Sequence, residues 1–365
     1  MTIWVALCIV AGTILGRLVP QISAVLSRLE VYNISLPIGI CLFAMIYPIM
    51  VQISFAEVKE SIKAPRPIAL TLLMNWAIKP FTMAFFGWLF LEILFSQYLG
   101  ATYAEQYDAG LILLGVAPCT AMVLVWSYLA EGNMAHTLVM TAINSASMVF
   151  LYAPLAAFLL GVSGIPVPWQ TIALAVIFYI CTPLAAGWIT RNRAIKRKGV
   201  EWFETNLVPR LSKMAITALL ITLVILFSYQ GETIVTFPLV IAMITVPIFV
   251  NIVLVFAATY VFARILKLGY VDAAPAAIVA GSNHFEVAIA VATTLFGLSS
   301  GASLATVVGV LTEVPLMLFI VWLCKKTKSF FPVKSTQVVP VLINLVNVSL
   351  WTGKRLFVGR FLKDT

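Results

Sequence analysis

The sequence predicts an all-α polytopic membrane protein, with ten transmembrane helices that divide five and five into halves of opposite orientation. Composition gives the class: 62% of the 365 residues are hydrophobic, 10% are charged and the mean hydropathy is +1.05. A soluble domain carries about a quarter charged residues, so a water-soluble globule is excluded. Hydropathy gives the count. Apolar stretches of about 17 to 25 residues fall near 2–19, 36–53, 68–96, 109–130, 137–160, 170–190, 214–229, 237–263, 272–297 and 302–323. Charge gives the orientation, because cytoplasmic loops carry the excess of Lys and Arg.

Taken in order, the connections follow that rule. Basic residues come after span 2 (Lys59, Lys63, Arg66), span 6 (Arg191, Arg193, Lys196, Arg197, Lys198, Arg210, Lys213), span 8 (Arg264, Lys267) and span 10 (Lys325, Lys326, Lys328, Lys334 and beyond). Among odd-numbered connections only the first carries any, Arg17 and Arg28. Ten spans with both termini cytoplasmic fit this pattern. The net charge of +9 is then a topology signal, and no nucleic-acid partner is implied. Residues 1–19 lack a basic leader and an A-x-A cleavage site, so they read as the first span and not as a removed signal peptide.

The membrane domain spans 1–325, with repeats about 1–162 and 168–325, and 326–365 is a cytoplasmic tail. Within the tail, 337–351 is short, contains Pro340, Asn344 and Asn347, and precedes Lys354 and Arg355; it reads as an interfacial helix. Five spans per half force the halves into opposite orientations if they are repeats. Many secondary transporters are built this way, with the site at mid-depth between discontinuous helices in corresponding positions.

Spans 4 and 9, each the fourth of its half, carry the matching interruptions. Span 4 contains G-V-A-P-C-T at 115–120; Pro118 removes a backbone donor and clashes with the carbonyl four residues back, so the helix breaks there. Cys119 follows the break and Thr120 adds a hydroxyl. Span 9 contains A-G-S-N-H-F-E at 280–286, where Gly281, Ser282 and Asn283 interrupt the helix without proline. A half-helix starting near Ser282 or Asn283 would turn free N–H groups and a positive dipole end to the centre, with Glu286 about a turn inside it.

An acid, an amide or an imidazole in hydrocarbon costs several kcal/mol, so these groups face protein or water. Glu286 has no Lys or Arg near it in sequence, and its alternative to function is a pairing with Asn283 or His284. Glu313, in L-T-E-V-P, is a second buried acid, with ligand and scaffold roles both open. On a regular helix His284 and Glu286 would point about 200° apart, which leaves His284 to line a vestibule or meet substrate. Asn75 and Lys79 in span 3, Asn144 in span 5 and Asn251 in span 8 are polar groups at depth, explained by default as interhelical hydrogen bonds. Tyr47, Pro48 and Trp126 are candidates to shape a cavity. Cys8, Cys41, Cys181 and Cys324 read as small buried hydrophobes, and no spacing suggests a disulfide, a metal centre or a cofactor.

The strings A-P-C-T-A-M-V-L-V-W-S-Y-L (117–129), S-N-H-F-E-V-A-I-A-V-A-T-T-L-F-G-L (282–298) and G-A-S-L-A-T-V-V-G-V-L-T-E-V-P (301–315) resemble the arsenical-resistance-3 family of arsenite efflux permeases. S-L-P-I-G-I-C-L-F-A-M-I-Y-P (35–48) and N-W-A-I-K-P (75–80) do as well, and the likeness runs over about 3–325. That family lies in the bile acid/sodium symporter superfamily. The resemblance implies ten helices in two inverted five-helix repeats, with helices 4 and 9 broken and crossing. It implies export of arsenite, in some members also antimonite, across the plasma membrane in exchange for protons. The family's essential cysteine falls on Cys119 and its essential glutamate on Glu286. His284 departs from the family, where an apolar aromatic is expected.

Chemistry agrees with that pair. Arsenite in neutral solution is an uncharged, thiophilic trihydroxide, and one thiolate is the soft ligand that separates it from hard oxyanions. A single thiol also permits release, which transport requires. The substrate set expected is Cys119, Glu286, Pro118, Thr120, Asn283 and Ser282, with Glu286 as proton carrier and Glu313, His284, Asn75 and Tyr47 as further candidates. Two rivals remain: a sodium-coupled organic anion symporter of the same superfamily, which would need several hard oxygen ligands, and an intramembrane enzyme using Cys119, which has only His136 and His284 to draw on.

Overall fold

A computed structural model describes residues 2–18, 30–31, 34–53, 65–120, 122–165, 167 and 169–332. The interfacial helix expected at 337–351, and the tail from 333 onward, lie outside the described residues. Among the described residues the secondary structure is helical, apart from one two-residue antiparallel pairing of Glu30–Val31 with Ile34–Ser35. Its outer surface is apolar: Phe150, Phe178, Trp188, Leu239 and Phe319 are among the exposed large side chains, as a bilayer requires. Five helices are long and apolar enough to cross a membrane among the described residues; the expected ten spans include shorter and interrupted segments, so length alone does not reproduce the count.

The helices are α1 (Thr2–Leu18), α2 (Leu36–Gln52), α3 (Pro65–Leu73), α4 (Lys79–Gly87), α5 (Ser96–Leu99), α6 (Ala101–Val116), α7 (Met122–Leu129), α8 (Met134–Val162), α9 (Trp169–Val176), α10 (Thr182–Trp202), α11 (Val208–Thr236), α12 (Pro238–Ile265), α13 (Tyr270–Gly281), α14 (Phe285–Phe296) and α15 (Gly301–Lys326). Of the four π turns among the described residues, three, at Met74–Ile78, Ile177–Cys181 and Phe203–Leu207, end two residues before a proline (Pro80, Pro183 and Pro209), and the fourth, Trp88–Leu94, does not. Proline cannot donate and crowds the preceding turn, and widening that turn relieves the clash. Gly199, at φ 83°, kinks the chain within α10 just after the basic run ending at Lys198.

Two packed groups result. In the first, α1 and α2 pack on α11, and α2 also packs on α10. Gly12 and Gly16 make the α1–α11 contact close, since a Cβ at either would run into Phe227 and the backbone of Ser228. In the second, α6 packs on α15 and α4, while α12 packs on α13, α15 and α4. Loops assigned to one face by charge sit together. The ends of spans 2 and 6 meet where Arg191 donates to the Gln52 carbonyl (3.1 Å). The loop after span 4 meets the start of span 9 through His136 and Asp272 (2.6 Å), and meets the end of span 10 through Glu131 with Lys325 and Lys328. The connections preceding spans 4 and 10 meet elsewhere, where Gln106 accepts from the Gly301 N–H (2.9 Å).

Candidate functional site

Both interruptions form, for the reasons the residues suggest. Helix α6 ends at Val116, and Ala117 turns extended (φ −92°, ψ 98°), the conformation favoured by a residue before proline. Helix α13 ends at Gly281, and Ser282 is extended (φ −87°, ψ 151°). The two extended strips then pair with each other. Pro118 and Asn283 form an antiparallel bridge, and the His284 N–H donates to the Ala117 carbonyl at 2.8 Å. The two sets of backbone groups released by the breaks thus meet in the interior, where every residue from Ala109 to Thr120 and from Ala273 to Thr293 is buried.

Each break is held by a side chain from the next span. For span 4, Asn144 on α8 donates to the Cys119 carbonyl (3.2 Å) and accepts from Asn75 (3.2 Å). For span 9, Glu313 on α15 accepts from the Asn283 N–H at 3.2 Å through both oxygens, and from the Ser282 hydroxyl. Lys79, fully buried at the start of α4, donates to the Ser282 carbonyl (2.8 Å). Asn251 donates to Thr82 on the same helix (2.7 Å), so Asn75, Asn144 and Asn251 do bridge helices. Lys79 is the residue that sequence reasoning undervalued. Its signal was plain: an ammonium in mid-span needs a named partner.

The half-helix of span 9 starts later than expected, at Phe285, and Glu286 is its second residue instead of lying a turn inside. His284 is its N-cap, with non-helical backbone (φ −96°, ψ 78°), so the 200° separation expected for a regular helix does not apply. Nδ1 of His284 lies 2.8 Å from Oε2 of Glu286, and both side chains are buried. His284 therefore lies against the acid, the pairing that the sequence held open, although neither ring nitrogen makes a hydrogen bond there. The N–H groups expected to be free at this break are used, by Glu313 and by Ala117.

A cleft of about 760 Å³, including the part that opens outward, lies between the two helix groups. Thr120 and Glu286 line it from the breaks, Pro48 and Gln52 from α2, Ser145 from α8 and Ser212 from α11. Cys119, 2% exposed, lies one residue behind Thr120; its thiol contacts the Ser282 side chain and lies within electrostatic reach of Glu313 and Glu286. Asn75 stands one hydrogen bond further back, through Asn144. Tyr47 is turned to Thr190 (2.7 Å) and ties α2 to α10; its neighbour Pro48 is the one that reaches the cleft. Among the described residues no cluster of three or more His, Cys, Asp or Glu could hold a metal ion.

Two broken helices paired at their interruptions, buried ionisable groups and a lateral cleft, all inside apolar helices, define a multi-pass membrane transporter. The chain belongs to the Sodium Bile acid symporter family, whose model matches residues 39–237, and within it to the group of the Acr3 arsenical-resistance proteins. It is 42% identical over 332 residues to the arsenical-resistance protein Acr3 of Alkaliphilus metalliredigens, covering 91% of this chain and 93% of that one. Acr3 of Corynebacterium glutamicum is 32% identical over 364 residues, 97% of this chain and 89% of its own. An uncharacterized transporter of Synechocystis is 53% identical over 356 residues, 94% and 93% of the two chains.

Proposed function

We propose that this protein exports trivalent arsenic across the plasma membrane, with arsenite as cargo and antimonite as its congener, in exchange for protons. The observation that carries this reading is the pairing of the two helix breaks, which gathers one soft ligand, the Cys119 thiol, and one proton-carrying group, the Glu286 carboxyl, around the same interior strip. The similarity to Acr3 arsenical-resistance proteins supports the cargo.

In this account the neutral trihydroxide enters the cleft past Thr120 and forms an As–S bond to Cys119 as one As–O bond breaks, the hydroxyl leaving as water with the thiol proton; release reverses the step. Ser282, Asn283 and Pro118 shape the strip behind it, and the cleft between the helix groups opens alternately to the two faces. Protonation of Glu286 and occupancy of Cys119 exclude each other, which couples inward proton flow to outward arsenite. His284 orients the carboxyl from its N-cap position. The chain termini lie on the cytoplasmic side.

Arsenite accumulation by inverted membrane vesicles tests the cargo and its ligand together. Wild-type vesicles should accumulate it, and Cys119→Ser vesicles should fall to background. Uptake by the serine variant at the wild-type level would remove the cysteine from the mechanism.

A further inference from the structure

Broken-helix transporters coordinate sodium with the carbonyls that unwinding sets free. At the span 9 break of this protein the Ser282 carbonyl already has a cation on it, and that cation belongs to the chain. The Lys79 ammonium donates to the Ser282 oxygen at 2.8 Å. Glu313 accepts from the Ser282 hydroxyl and the Asn283 N–H, and it interacts electrostatically with Lys79 at longer range than a direct ion pair. Both side chains are almost completely buried, at 0% and 5% exposure. The Ser282 carbonyl is a hard oxygen donor of the kind a desolvated alkali cation takes, and the Glu313 carboxyl supplies the negative field beside it.

We infer that Lys79 is a tethered cation filling a monovalent-cation site at the span 9 break, and that it makes this member of a sodium symporter family independent of sodium. The position of Lys79 is built and not incidental. The π turn Met74–Ile78 ends immediately before it, and Pro80 behind it causes that turn, so the side chain leaves the helix where the register is shifted. Asn251 also fixes the following turn through Thr82. A mobile sodium ion would have to displace an ammonium that cannot leave the site. Removing the ammonium while leaving Glu313 should vacate the site without filling it.

The inference rests on the transporter reading, and its test does not use arsenite, so the two can fail separately. Purified full-length protein would be heated in sodium and, at matched ionic strength, in potassium. Wild type should show the same Tm in both. Lys79→Gln, which offers an amide oxygen where the ammonium was, should gain a saturable, sodium-specific rise of about 3 °C at about ten times its Kd. Lys79→Gln combined with Glu313→Gln should lose that rise, because the anion is gone. Binding of radioactive sodium to wild type gives a second readout that needs no variant, and none is expected. A sodium-specific shift or bound sodium in wild type would overturn the inference, as would a folded Lys79→Gln protein indifferent to sodium.

Discussion

The two helix breaks do the same architectural work with opposite chemistry. The span 4 break is imposed by Pro118 and held by neutral amides, Asn75 to Asn144 to the Cys119 carbonyl. The span 9 break follows Gly281, has no proline at the interruption, and is held by buried ions, Glu313 and Lys79 gripping Ser282 and Asn283. Proline enforces its break covalently, so amides suffice to satisfy what it frees. Without proline, the charged pair must supply what the backbone does not. The cost of desolvating two ions is offset only while both are present. The thiol proposed to take the cargo thus stands on the side broken by proline, while the carboxyl of Glu286, proposed to couple protons, stands on the side held by charge.

That contrast can be broken in graded ways. The largest stability effect should come from Glu313→Gln, which leaves Lys79 an unpaired buried cation and should cost about 3–5 kcal/mol; Lys79→Gln with Glu313→Gln should be more stable than Glu313→Gln alone. Thermal unfolding in detergent would measure both, and a double variant no better than the single would refute an ion-pair clamp. Asn144→Ala strips the Cys119 carbonyl of its donor and leaves Asn75 unpaired, a loss of about 1–3 kcal/mol, so it should fall clearly short of Glu313→Gln. Equal losses would erase the proposed difference between the breaks.

At the small end is Glu131, half-exposed in the loop after span 4, whose hydrogen bonds from Lys328 and Lys325 hold its carboxyl below the usual carboxylate range. A lowered folded-state value means that the pair's contribution is present above about pH 4.3 and fades as the pH falls through the depressed value. Because the group is solvated, Glu131→Gln should leave Tm at pH 7 unchanged within error. A clear drop would show that loop to be clamped more firmly than its exposure suggests.

The positions of both breaks were legible in the sequence, because Pro118 and the run Gly281-Ser282-Asn283 act locally. Cys119 and Thr120 stood out because they follow the break at Pro118, and Glu286 and Glu313 because a carboxyl is the wrong kind of side chain for lipid. What joins them was not legible. The bridge from Pro118 to Asn283 spans more than 160 residues, and no local pattern encodes it. His284 was misjudged because helical periodicity was applied to a residue that turns out to be an N-cap. Lys79 was treated as one polar group among several, since sequence alone could not show that Ser282 lies against it. Three of the four π turns accompany X-Pro steps, at Lys79-Pro80, Thr182-Pro183 and Val208-Pro209, but Pro48, Pro154 and Pro247 lie inside helices without one, so the step alone does not encode the turn.

The central claim is that the paired breaks form one site at which a thiol and a carboxyl exclude each other's ligand. Arsenite accumulation driven by an imposed pH gradient in inverted vesicles tests it most directly, with wild type beside Glu286→Gln. The account predicts gradient-driven accumulation in wild type and only gradient-independent equilibration in Glu286→Gln. Accumulation by that variant that still follows the pH gradient as wild type does would contradict it.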